Sequence, residues 1–120
     1  MPTTAIVVHD DDETRELATN ALRDAGYEVT AFDSPMQVLV AMDCHTWIRV
    51  LVTRVDFGRG KLNGASLARM VRHKQPAARV VFVAQERNRE HTADLGEFLS
   101  APLDPKALVD VVGRLLVEPV

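Results

Sequence analysis

The sequence predicts an α/β fold, a doubly wound five-stranded parallel sheet with helices on both faces. Three observations carry that expectation. Five short apolar runs recur at even spacing, at residues 5–8, 29–32, 50–52, 80–84 and 98–99, and the longer ones are rich in β-branched residues. Runs that are apolar at consecutive positions suit strands buried on both faces. Segments with helical spacing lie between them, so strand and helix alternate along the chain.

Each helical segment has its own boundary signals. After the first run, Leu17, Ala18, Ala21, Leu22 and Ala25 make one face of a helix starting near Asp12, with Gly26 as its stop. Ser34 and Pro35 read as N-cap and first-turn proline of a second helix that buries Val38, Leu39 and Met42. Asn63 caps a third, carrying Leu67, Met70 and Val71. Asp104 with Pro105 opens the last, carrying Leu108, Val109, Val112, Leu115 and Leu116. Residues 88–95 are too short and too polar for a regular helix, so a short or irregular fourth helix or an ordered loop is expected there. Tyr27 and Trp47, near strand starts, read as packing residues.

Length and composition narrow the function classes. A chain of 120 residues has the size of one domain, so residues 1–120 are expected to form a single unit. With 47% apolar and 26% charged residues, and no unbroken apolar stretch of ~18 residues, no membrane span is expected. No basic segment followed by an apolar one marks residues 1–5 as a signal peptide, so a cytoplasmic location is expected. The net charge of -3 carries no footprint for nucleic acid. Arg54, Arg59, Lys61, Arg69, Arg72 and Lys74 do cluster, and read as a solvated rim. The lone Cys44 cannot form an internal disulfide and reads as a packed or half-exposed thiol.

In a doubly wound sheet the ligand site lies beyond the carboxyl ends of the strands. The residues to examine are therefore His9 to Asp12, Arg54 to Lys61, Ala84 to Glu86, and Ala101 with Pro102. The acidic run Asp10, Asp11, Asp12, Glu13 offers oxygen ligands for a hard cation such as Mg²⁺. The same residues also suit a helix start, where carboxylates cap backbone amides and favour the positive end of the dipole. His9, His45, His73 and His91 lack zinc-site spacing. A protonated His9 is expected to be favoured by Asp10, beside the plainer role of a strand-tip hydrogen bond.

The stretch Ile6-Val7-Val8-His9-Asp10-Asp11-Asp12-Glu13-Thr14-Arg15-Glu16-Leu17 resembles the opening of response-regulator receiver domains. The resemblance continues through Val50-Leu51-Val52-Thr53-Arg54-Val55, Leu62-Asn63-Gly64 and Phe98-Leu99-Ser100-Ala101-Pro102-Leu103-Asp104. It implies a flavodoxin-like receiver fold. Receiver domains typically carry two acids after the first strand, a phosphate-accepting aspartate after the third, a hydroxyl residue after the fourth and a lysine after the fifth. Here His9 stands for the first acid and Asp10 keeps the second. Arg54 stands for the acceptor, Ala84 for the hydroxyl residue and Ala101 for the lysine, while Phe98 matches the aromatic that changes rotamer on activation.

These residue types have chemical consequences. A guanidinium cannot accept a phosphoryl group, and neither alanine can stabilise an acyl phosphate. The resemblance thus implies a degenerate receiver, not an enzyme, that needs no cofactor and binds signalling proteins such as a histidine kinase or a downstream regulator. A homodimer through the face of the fourth helix, fifth strand and fifth helix is the family-like pairing. Arg54 is expected to fill the Mg²⁺ position through bidentate bonds to Asp10 and Asp11, or else to point to solvent.

Two alternatives remain. A register with Asp56 as acceptor fits the shorter form of the loop but buries Arg54 in a central strand, so that phosphorylation with Mg²⁺ would fall on Asp56, Asp10 or Asp11. Gly58-Arg59-Gly60-Lys61 could instead bind a small anion, though it lacks the ending of a nucleotide-binding loop.

Overall fold

The computed structural model describes residues 4–43 and 47–117. Strands β1 (Thr4–Val8), β2 (Glu28–Phe32), β3 (Val50–Thr53), β4 (Arg79–Ala84) and β5 (Glu97–Ser100) run parallel in the order β2-β1-β3-β4-β5. Alternation along the strands sorts their side chains onto two cores. Ile6, Val8, Leu51, Val80 and Phe82 pack under α2 (Pro35–Asp43) and α3 (Gly64–Lys74). Ala5, Val7, Val52, Val81 and Val83 pack under α1 (Asp12–Asp24) and α4 (Pro105–Val117). Each fully buried side chain of this size favours folding by about 1.5–3 kcal/mol.

The boundary signals act as their chemistry demands. Gly26 takes φ 98 just after the C-cap of α1, a conformation that costs glycine little. Asn63 Oδ1 accepts the Ala65 amide at 2.6 Å at the start of α3, and Asp104 Oδ1 accepts the Lys106 amide at 3.0 Å at the start of α4. The weak segment forms a 3₁₀ helix over Glu86–Thr92 instead of a fourth α-helix.

Several packing expectations need correction. Leu17 and Ala25 are exposed and Thr19 is buried instead, because α1 turns Ala18, Thr19 and Leu22 to the sheet. Met70 is exposed, since α3 inserts Leu67, Ala68 and Val71 into the core. Trp47 is also exposed, because Ile48 takes the buried position before β3. Tyr27 packs against the core of α1 and α4. Cys44 and His45 lie outside the described residues.

Candidate functional site

The register brings the ends of the five strands to one edge of the sheet. Val8 lies beside Phe32 and Thr53, Thr53 beside Phe82, and Ala84 beside Ser100. The ladder continues one residue further, with His9 N–H donating to Phe32 O at 3.1 Å, Arg54 N–H to Val8 O at 3.2 Å and Ala101 N–H to Ala84 O at 2.8 Å. A cavity of about 230 Å³ opens between these ends, lined by His9, Asp11, Thr14, Arg54, Ala84, Gln85 and Ala101.

Arg54 is the first residue beyond β3, so Thr53 closes the buried strand and the charge sits at its tip. Its Nη1 donates to Asp10 Oδ1 at 2.6 Å across the top of the sheet. The contact is made through one nitrogen and one oxygen, and it does not reach Asp11. The expected fork across both acids is therefore corrected. Asp11 is engaged elsewhere: as N-cap of α1 its Oδ2 accepts the Thr14 amide at 3.0 Å and the Thr14 hydroxyl at 2.5 Å. These bonds hold its carboxyl below the usual carboxylate range.

His9 departs from expectation in sign. It is buried, and its Nδ1 accepts the Asp11 amide at 3.1 Å, which requires that nitrogen to be unprotonated. Burial first, then the Arg54 guanidinium, push its pKa below the ordinary 6.5, outweighing the carboxylates of Asp10 and Asp11 and a hydrogen bond to the Val83 backbone. The strand-tip hydrogen bond is thus the role the geometry supports, and the protonated form is disfavoured.

The sign of the pH effect follows from linkage. Above 6.5 His9 is neutral whether folded or unfolded, so it leaves stability unchanged. As pH falls below 6.5 the unfolded chain takes up a proton that the folded chain resists, and stability drops. Replacing His9→Gln, whose amide oxygen can still accept the Asp11 N–H, is expected to flatten the melting temperature between about pH 7 and 5. An unchanged slope in thermal melts would contradict this assignment.

Asp56 does not join the cavity. It lies two residues past Arg54, is exposed, and its Oδ1 accepts the Gly58 amide at 2.9 Å. Gly58 and Gly60 adopt φ 105 and 78, so the glycines serve the turn of the long β3–α3 loop. An anion at residues 58–61 would meet the Asp56 carboxylate on the Gly58 amide.

Some site residues escaped the sequence reading. Thr14 holds Asp11, and Arg15 ties α1 to the strand tip, Nη1 to His9 O at 2.9 Å and Nη2 to Asp12 at 2.6 Å. The i, i+3 spacing of these pairs on the first turn was the available signal. At the far edge Arg89 binds Glu86 at 2.7 and 2.9 Å and lies 4.7 Å over the Phe98 ring, a cation–π contact. The Ser100 hydroxyl also donates to Glu86, and together these bonds pull the Glu86 carboxyl down to about 2. Phe98 is half-buried beneath this pair.

For a divalent cation the donor set is poor. Asp10 Oδ1 already faces a guanidinium, Asp11 caps a helix, and among the described residues no three His, Cys, Asp or Glu side chains gather as metal ligands.

A parallel sheet in this order, with its crevice at the carboxyl edge, defines the flavodoxin-like class of α/β domains. Residues 5–112 match the response regulator receiver domain, and the chain belongs to that family. Among solved structures, a response regulator receiver protein from Sinorhizobium medicae is similar with TM-score 0.86 and 23% identity, over 96% of this chain and 94% of that one. The chemotaxis response regulator CheY4 of Vibrio cholerae gives 0.81 and 21%, over 97% and 100%. NtrX from Brucella abortus gives 0.85 and 22% over 97% of this chain but 27% of its own. These likenesses establish the fold. No curated protein matches. Among the described residues no helix is long and apolar enough to cross a membrane.

Proposed function

We propose that this receiver domain does not accept phosphate at the usual place and acts in signal transduction by binding other proteins, without catalysis of its own. The observation that carries the reading is the Arg54–Asp10 ion pair at the carboxyl edge of the sheet, 2.6 Å long. A guanidinium at that place offers no lone pair to a phosphoryl donor and repels Mg²⁺ from the neighbouring acid. Ala84 and Ala101, lining the same cavity, supply neither a hydroxyl nor an ammonium to an incoming phosphate. Phosphorylation of Asp56 has less support, because that carboxylate lies outside the cavity and is held by its own loop.

On this reading the domain works in the cytoplasm without a bound metal, and its partners are signalling proteins such as a histidine kinase or a downstream regulator. A homodimer through Glu86–Thr92, β5 and α4 has weaker support. Charges on that face, Arg89 with Glu86 and Arg114 with Glu97 at 2.8 Å, are already paired within the chain.

Beryllofluoride with Mg²⁺, a phosphoryl analogue, tests the reading in solution. Backbone amide signals of His9, Arg54, Ala84 and Phe98 are expected to stay in place across the titration. Saturable shifts at these residues would overturn it.

A further inference from the structure

β5 lies at the edge of the sheet and carries one aromatic side chain, Phe98. Phe98 stands beside Phe82 in the ladder and packs, half-buried, against the core under α2 and α3. Its ring is capped by a charge, the Arg89 guanidinium 4.7 Å from the ring centroid.

A surface arginine samples many rotamers, and holding it in one costs side-chain entropy. Arg89 is restrained at both ends. Its main chain is anchored by the buried Thr92, whose hydroxyl donates to Arg89 O at 3.0 Å. Its Nε and Nη2 donate to the two Glu86 oxygens at 2.7 and 2.9 Å, a fork that fixes the plane of the guanidinium. Nη2 also faces the Ser100 hydroxyl at 3.4 Å, and that hydroxyl donates to Glu86 Oε2. Ser100 stands two residues beyond Phe98 on β5, on the same face of the sheet.

An isolated exposed ion pair contributes little to stability. This pair does something else, because Ser100 ties the fork to the strand that carries the ring. For Phe98 to turn away from the core, the guanidinium has to leave the ring and the cation–π contact is lost. The turn would set an aromatic ring on the surface beside Arg89 and Glu86 with their charges unpaired.

We infer that Glu86 and Arg89, tied to β5 by Ser100, form a latch that holds the Phe98 ring against the core and keeps an aromatic contact surface closed. With the latch shut, the face of residues 86–92 and β5 meets a partner with its charges paired. With the latch open, it offers a ring between a free guanidinium and a free carboxylate. The inference goes beyond the reading of the strand tips and does not depend on whether they accept phosphate.

Three-bond couplings from Phe98 Cγ to its backbone nitrogen and carbonyl carbon, measured by NMR on the full chain, report the χ1 rotamers of the ring. The wild-type chain is expected to show one dominant rotamer. Arg89→Ala and, separately, Glu86→Ala are expected to raise the minor rotamers at least about threefold. Arg87→Ala, at an exposed neighbour outside the fork, is expected to leave them unchanged and serves as the control for general loosening of the segment. Glu86 and Arg89 are themselves exposed, and circular dichroism verifies that the variants fold. Averaged couplings in the wild-type chain, unchanged couplings in Arg89→Ala or Glu86→Ala, or an equal rise in Arg87→Ala would overturn the latch. The couplings are read without beryllofluoride, so the latch and the loss of phosphate acceptance fail separately.

Discussion

Arg54→Ala is expected to raise the affinity for Mg²⁺ by about tenfold over the wild-type chain, read by titration calorimetry. The guanidinium holds Asp10 Oδ1 at 2.6 Å, and the two side chains are 32% and 37% exposed. A cation entering beside Asp10 meets a positive charge at a distance of a few ångströms. Removing such a charge is worth ~1–4 kcal/mol across the range from bulk water to a protein surface. Solvent exposure here favours the lower end, which is about tenfold. The substitution also releases the Asp10 carboxylate toward the cavity, where Mg²⁺ can keep several of its waters. Equal affinities for the two proteins would show that Arg54 does not guard the acids.

The largest effect on stability is expected at Gly64→Ala, a loss of about 3 kcal/mol in urea unfolding. Gly64 opens α3, and its amide donates to Val55 O at 2.7 Å. A Cβ there would collide with the Arg54 carbonyl group, 2.9 Å from its carbon atom. Backbone at the tip of a central strand cannot yield as a flexible side chain does, so α3 or the Arg54 segment has to move. The same variant is therefore expected to disturb the Arg54–Asp10 pair, seen as shifted amide signals at Asp10. A midpoint within 0.5 kcal/mol of wild type, about the ordinary range for a surface substitution, would contradict the close approach.

The order of strands and helices was legible because it depends on short-range signals. Buried runs such as Val50-Leu51-Val52, the caps Asn63 and Asp104, and the stop at Gly26 declare themselves locally. The strand-tip residues His9, Arg54, Ala84 and Ala101 could be gathered because a parallel sheet puts its carboxyl ends on one edge.

What stayed illegible depends on orientation and burial. Whether Arg54 forks both acids or meets one depends on Asp11 being claimed by Thr14, a competition that spacing alone does not decide. The sign of the His9 shift required knowing that the ring is buried, since the neighbouring carboxylates pull the other way. Leu17, Met70 and Trp47 look like core residues by type but face outward, because helix rotation and the position of Ile48 had already filled the core. The Arg89 guanidinium over Phe98 joins two residues that are nine apart in the chain and lie on different elements, beyond any helical spacing rule.

The central claim is that the pocket at the strand tips no longer takes phosphate. Intact mass of the wild-type chain, measured after incubation with acetyl phosphate and Mg²⁺, tests it most directly. The predicted result is an unchanged mass; a stable gain of one phosphoryl group, mapped to Asp10, Asp11 or Asp56, would contradict it.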